Sequence, residues 1–189
     1  MGLSGRRSIS GLTLTGPGPI GLMSVAVGKA LGEQPVILTG TRDSRLNLGL
    51  RLGADHVINI RKENPVEAVR RITGGKGVHY VMECSGAETA LNEALDMVNR
   101  GGRICLAAFP GERVPVDLAK LARNNIYLFG IRGEGNSAVH RSAALMSQKR
   151  FDAKLMHTHT FPLEELPTAF RYFRERIEDA IKVVVKVSR

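Results

Sequence analysis

A doubly wound α/β fold, in which helices cover both faces of a parallel sheet, is predicted by three features of this sequence. Short apolar runs alternate along the chain with segments whose apolar residues recur at helical spacing. The first such run leads directly into Gly16-Pro17-Gly18-Pro19-Ile20-Gly21. The composition is aliphatic, with 43% hydrophobic but only 5% aromatic residues, and 189 residues are enough to bury a core of that kind.

The elements follow in order. Leu12 to Thr15 alternates apolar residues with threonine and forms the first strand. Ile20, Leu22, Met23, Ala26, Val27 and Ala30 then lie on one face of a helix that runs through Leu31. Pro35 to Thr39 is the second strand and completes a unit of the right length for a parallel crossover. Ser44 to Leu52 is helical, His56 to Asn59 is a short strand, and Pro65 to Ile72 is a helix closed by Thr73-Gly74-Gly75. Val78 to Cys84 is the fourth strand, with the helix Glu88 to Val98 behind it. Gly101-Gly102 is the turn into a fifth strand, Arg103 to Ala108. Ile126 to Ile131 is the sixth strand, and Val139 to Gln148 the helix after it. Beyond Arg150, His157 and His159 alternate on a short strand, Leu163 to Arg174 is helical, and Ala180 to Val187 is a strongly apolar strand. The expected organisation is a polar lead over residues 1–11, a Rossmann domain over 12–150 and a helix and strand tail over 151–189.

A G-x-G-x-x-G run between a strand and a helix lets backbone N–H groups approach a pyrophosphate, with the positive end of the helix aimed at it. Alone, the spacing also fits a glycine turn without a ligand, or the S-adenosylmethionine loop of a methyltransferase. Strand, turn and helix in the required order favour a dinucleotide.

At the end of the second strand, an NAD-preferring domain carries an Asp or Glu that bonds the ribose hydroxyls. Gly40 stands there instead, followed by Thr41, Arg42 and Arg45. A 2′-phosphate is repelled by a carboxylate and held by planar guanidinium donors, so NADP is expected, with NAD as the alternative. The competing reading is that Arg42 and Arg45 begin a solvated helix, with Asp43 placed to pair with either.

The net charge of +9 and pI near 10.1 invite a nucleic-acid reading, but the distribution opposes it. Charges of both signs are mixed, and there is no basic helix, zinc-finger spacing or aromatic RNA signature, so no specific nucleic-acid partner is expected. No apolar run is long enough to span a membrane, and the basic start lacks the apolar centre of a secretory signal, so a cytoplasmic protein is expected. Cys84 and Cys105 offer neither a disulfide framework nor a C-x-x-C metal pair. His157 and His159 could share one strand face, but two ligands without a third make a poor zinc site.

These phrases together resemble the C-terminal, cofactor-binding domain of the zinc-dependent medium-chain alcohol dehydrogenase superfamily. They are Thr15 to Leu22, Arg45-Leu46 with Leu52-Gly53-Ala54-Asp55, Glu83-Cys84-Ser85-Gly86, Gly101-Gly102-Arg103-Ile104 and Phe161-Pro162-Leu163-Glu164-Glu165. The likeness runs from Leu12 to Val187 and is closest to the sorbitol and threonine dehydrogenase branch. It implies that Gly18, Pro19 and Ile20, in the turn bounded by Gly16 and Gly21, flank the pyrophosphate. Gly40, Thr41, Arg42 and Arg45 would surround the adenosine phosphate. Cys84, Ser85 and Gly86 would sit across the crevice, Ala107 and Phe109 toward the nicotinamide ribose, and Gly130, Ile131 and Arg132 beside the nicotinamide. For Cys84 and Phe109, plain packing is the alternative.

In the family, a chaperonin-10-like domain precedes the glycine loop and carries the ligands of the catalytic zinc. No such ligands are read in this sequence, so zinc is not expected to be bound by this chain. The resemblance implies a dinucleotide-binding domain of an alcohol or polyol dehydrogenase, not competent in turnover alone. The alternative is a free-standing binding or regulatory module that works with a separate catalytic partner. The last strand, which in the family packs on the catalytic domain, is expected to seek a substitute partner or remain an exposed edge. Related domains pair their sixth strands across a two-fold axis, which implies a possible homodimer here.

Overall fold

The computed structural model describes residues 11–133 and 135–187, with the side chains of 135 and 136 left aside. The polar lead therefore lies, up to residue 10, outside the described residues. The chain divides into two compact units, with Asn136 and Ser137 at the division.

The first unit is a six-stranded sheet in the order β3-β2-β1-β4-β5-β6. Its strands are β1 (Leu12–Thr15), β2 (Val36–Gly40), β3 (His56–Asn59), β4 (Val78–Glu83), β5 (Val98–Leu106) and β6 (Tyr127–Gly130), and every pairing is parallel. The connections run through α1 (Pro19–Ala30), α2 (Asp43–Arg51), α3 (Pro65–Ile72), α4 (Ala90–Met97) and α5 (Leu118–Arg123). Parallel strands cannot be joined by hairpins, so each crossover helix must pack on a face of the sheet, and both faces are buried as a result. Leu14 on β1 pairs in register with Leu38 on β2 and Met82 on β4. A β-carbon on Gly49 of α2 would lie 2.3 Å from Leu38 Cδ2, so that helix packs against the sheet with almost no gap. The neighbouring register row, Ile37 with Val81 and Ile104, is buried together with Val69 of α3 and Leu95 of α4.

The sequence-based elements are recovered with three corrections. Cys84 lies beyond the end of β4 rather than within it. Gly101-Gly102 does not precede β5 but kinks it: the register jumps from Val78 opposite Val98 to Tyr80 opposite Arg103. A β-carbon on Gly102 would lie 2.5 Å from Val98 Cγ2, so the kink folds back on the start of its own strand. The third correction is α5, which was not expected; Asp117 caps it by accepting from the Lys120 amide.

The second unit holds most of α6 (Gly135–Ser147), then β7 (His157–Pro162), α7 (Leu166–Glu175) and β8 (Lys182–Lys186). The apolar last strand does find a partner: β8 pairs in parallel with β7. A register irregularity between His157 and His159 breaks the simple alternation expected of them. His157 instead bonds the His159 carbonyl and Thr160 Oγ1, at 3.1 and 2.7 Å. His159 packs between Phe161 and Tyr172.

Candidate dinucleotide site

In an open parallel sheet, ligands bind beyond the carboxyl ends of the strands where the strand order reverses, because the loops there part to opposite faces. Here that point lies between β1 and β4. The chain leaves β1 at Gly16 with φ of +91°, a conformation an L side chain would strain, and the Gly16 amide donates to Thr39 O at 3.0 Å. Gly18 is the N-cap of α1 and Pro19 its first residue, where the missing N–H costs nothing. The Ile20 and Gly21 amides, one turn into the helix, have no intrahelical acceptor and lie at its positive end.

The two inner glycines do opposite things. A β-carbon on Gly18 would meet nothing within 4 Å, so the turn is open at that point. A β-carbon on Gly21 would lie 2.1 Å from the Gly16 carbonyl oxygen, so the helix packs directly onto the turn. The result is an open bend at a helix N-terminus, backed by close packing.

Across the switch point, Glu83 ends β4 and is only 2% exposed. Its Oε1 accepts from the Ser85 amide at 2.6 Å, the Ser85 hydroxyl at 2.5 Å, the Gly86 amide at 3.0 Å and the Thr15 hydroxyl at 3.1 Å. Ser85 packs against the glycine turn: its N, Cα and Cβ each lie 3.0 Å from a β-carbon built on Gly16. The half-buried Cys84 thiol is pushed up to about 12, by burial first and then by Glu83 and Cys105. At neutral pH it stays in the thiol form, the less nucleophilic one.

The next two strand ends close the far side. The Ala107 and Ala108 amides both donate to the Glu83 carbonyl, at 2.8 and 3.2 Å, and the Ile131 amide donates to Leu106 O at 3.0 Å. A β-carbon on Gly86 would be 3.2 Å from Phe109 O, which brings that loop beside the β4 turn. Phe109, 73% exposed, and Ile20 and Ile131, also exposed, present apolar surface at this edge. Gly130 ends β6, and Arg132 is exposed just after Ile131.

At the opposite end, Gly40 closes β2 against the turn: a β-carbon there would lie 2.5 Å from Pro17 Cγ and Cδ. Thr41 is exposed and Arg42, the N-cap of α2, is half-buried. Arg45 is not on a solvated face: it is 6% exposed, with Nη1 3.5 Å from the Pro17 carbonyl. It braces the turn from below. Asp43 accepts from Asn59 Nδ2 at 2.7 Å and Lys62 Nζ at 2.8 Å. The bonds from Lys62 and Asn59 hold its carboxyl below the usual range.

Two contributions went unread in the sequence. One is Glu83, whose signal in the sequence is a carboxylate ending an apolar strand, the mark of a buried polar network. The β3 end also joins the site, since the Ile60 amide donates to Gly40 O at 3.0 Å and brings Arg61 beside β2. The run Arg61-Lys62 was the available signal.

The sequence profile of zinc-binding dehydrogenases matches residues 19–148. The chain belongs to the zinc-binding dehydrogenase family. L-threonine 3-dehydrogenase of Bacillus subtilis is 37% identical over 161 residues, covering 84% of this chain and 46% of that protein. Sorbitol dehydrogenase of the same organism is 31% identical over 181 residues, covering 95% and 51%. Among solved structures, benzyl alcohol dehydrogenase of Acinetobacter calcoaceticus superposes with a TM-score of 0.86 at 26% identity, over 95% of this chain and 50% of that one.

Within the zinc-binding dehydrogenase family this chain corresponds to the NAD(P)-binding Rossmann domain, and it spans about half the length of the relatives it matches. The residues described do not fit the family's zinc: no three His, Cys, Asp or Glu among them come together as a ligand set. No helix among them is long and apolar enough to cross a membrane.

Proposed function

We propose that this chain binds NADP along the carboxyl edge of its six-stranded sheet and presents it for hydride transfer between an alcohol or carbonyl and the nicotinamide. The observation that carries this reading is the paired behaviour of Gly18 and Gly21: one leaves the turn open, and the other pins a helix N-terminus behind it. Gly16, Gly18, Pro19, Ile20 and Gly21 receive the pyrophosphate. Cys84, Ser85, Gly86, Ala107 and Phe109 line the central crevice, with Gly130, Ile131 and Arg132 at the nicotinamide end. Gly40, Thr41 and Arg42 take the adenosine ribose and its 2′-phosphate, while Arg45 supports Pro17.

The bound coenzyme supplies the hydride acceptor or donor, and the protein supplies orientation and a partly apolar wall. A threonine- or sorbitol-like polyol or amino alcohol is the proposed substrate class of the whole enzyme, by likeness to the relatives above. Polarisation of the substrate oxygen is assigned to residues beyond those described, in the same protein or in a separate catalytic partner. The domain division is proposed near residue 150, with the tail serving that partner.

Two further features belong to this reading. The β6 strand ends the sheet and exposes Tyr127 and Phe129, which supports edge-to-edge pairing with a second copy. Cys84 and Cys105 are free thiols, which suits a reducing, cytoplasmic setting.

The test is calorimetric titration of the chain with NADPH, NADH and S-adenosylmethionine, repeated with Arg42→Ala. NADPH is expected to bind tightest and to lose roughly tenfold or more in affinity in the variant, while NADH changes little. Binding of S-adenosylmethionine alone overturns the dinucleotide reading. An unchanged NADPH affinity in Arg42→Ala overturns the phosphate assignment.

A further inference from the structure

We infer that Glu83 is a positioning residue for the dinucleotide, its buried carboxylate setting the shape of two of the loops around the crevice while its backbone carbonyl anchors a third. The inference rests on the dinucleotide reading above and adds a residue to it.

The contacts divide among three walls. Through Oε1, Glu83 takes the Thr15 hydroxyl, one residue ahead of the Gly16 bend. Through the same oxygen it takes both donors of Ser85 and the amide of Gly86, and Oε2 lies 3.2 Å from that amide as well. The β4 turn is thereby wrapped around its own preceding side chain. The Ser85 hydroxyl continues the network by accepting from the Ala87 amide at 3.2 Å. Through its backbone carbonyl, Glu83 takes the Ala107 and Ala108 amides and fixes the departure of the chain from β5.

These bonds matter to a ligand because of what the held residues touch. Ser85 lies against Gly16, close enough that no β-carbon fits comfortably between them, so a shift of the β4 turn is transmitted to the pyrophosphate bend. Gly86, at φ of +69°, lies against the Phe109 carbonyl, so the same shift moves the exposed ring at the far wall. A buried carboxylate is an acceptor only, and four donors converge on Oε1. Glutamine keeps one acceptor but turns an NH₂ donor toward the Gly86 N–H, where Oε2 now sits. None of the Glu83 bonds reaches Gly40, Arg42 or Arg61, so the adenosine end is outside its direct control.

The consequence is a differential effect. In the full chain, Glu83→Gln is expected to weaken NADPH binding about tenfold by calorimetry. Adenosine 2′-monophosphate, which reaches only the β2 end, is expected to bind within about twofold of the parent by NMR titration. Ser85→Ala removes one donor and keeps the Glu83 carboxylate, and it is expected to weaken NADPH about threefold, with thermal unfolding still cooperative. Hydrogen exchange at the Gly16, Ser85 and Gly86 amides is expected to quicken in both variants.

A parent that binds NADPH and a Glu83→Gln variant that binds it equally well overturn this inference alone. Equal losses for NADPH and adenosine 2′-monophosphate in both variants reduce Glu83 to general stability and also overturn it. A parent that binds neither probe overturns the dinucleotide reading itself, and this inference with it.

Discussion

The two ends of the crevice are built on opposite principles. At the switch point between β1 and β4, position is set by packing and buried hydrogen bonds: Gly21 on Gly16, Ser85 on Gly16, and Glu83 beneath both turns. At the β2 and β3 ends, the surface is polar and open, with Thr41, Asp43 and Arg61 exposed and Lys62 paired to Asp43 across solvent. The difference teaches where change is tolerated. On the NADP reading proposed above, the pyrophosphate common to every dinucleotide falls to fixed backbone, whereas the group that separates NADP from NAD falls to side chains that can be exchanged.

The comparison is broken most directly at the packed end. Gly21→Ala places a methyl group 2.1 Å from a backbone oxygen, which cannot swing aside as a long side chain can. Either α1 lifts from the turn or the Gly16 peptide rotates, and both spoil the cradle. A destabilisation of about 3 kcal/mol is expected, lowering Tm by roughly 6–12 °C in a chain of this size, with NADPH binding lost. Thermal unfolding followed by circular dichroism, with a parallel titration, checks it. A variant with parent-like Tm and affinity would show that this end is not locked.

At the open end, the expected behaviour is exchange with one built-in obstacle. Gly40→Asp supplies the carboxylate of an NAD-type site, but its β-carbon meets the Pro17 ring at 2.5 Å. The single variant is therefore expected to lose NADPH affinity about tenfold by charge repulsion and to gain nothing for NADH. Pro17→Ala removes the ring atoms in the way. The pair Gly40→Asp with Pro17→Ala is expected to bind NADH about tenfold tighter than Gly40→Asp alone, a non-additive outcome read from a double-mutant cycle. Additive effects would mean that Pro17 does not couple the two ends.

How much of this was legible in the sequence follows the same division. The strand, turn and helix around Gly16 to Gly21 are local, and the alternation of elements through β6 carries its own periodicity, so the fold and the glycine turn were readable. The placement of Gly40 and Arg42 just at the end of β2 was readable because they follow an apolar strand directly. Contacts between distant segments were not. Nothing local tells that Arg45, in a polar helix, turns beneath Pro17, or that the Thr15 hydroxyl donates to the carboxylate of Glu83, 68 residues away. Which segment pairs with β8 is hidden for the same reason: its partner β7 is polar, with His157, Thr158 and Thr160, and announces no apolar face to pair with. In sequence the kink in β5 reads as a turn because two glycines look alike in either role, and only the register with β4 distinguishes them.

The smallest effect expected lies at the amino edge of the sheet, away from both ends of the crevice. Asp55 accepts from Lys29 Nζ at 2.5 Å and from the Val36 amide, where β2 begins, at 2.8 Å. Burial alone would push its carboxyl up, but the bonds from Lys29 and Val36, with the charges of Lys29 and His56, hold it below the usual range. A folded-state value below the unfolded one gives stabilisation that is complete above the ordinary carboxylate range and is lost as pH falls through it toward the folded value. The pair is partly solvated, which keeps the effect modest. Tm of the parent is therefore expected to fall more steeply than that of Asp55→Asn between about pH 5 and pH 3, with the curves converging at the acid end. At neutral pH the same variant should bind NADPH like the parent, because none of its bonds reaches the carboxyl edge. A changed affinity would mean that strain at one edge of β2 is felt at the other, and the division between a locked and an exchangeable end would have to be redrawn through the strand itself.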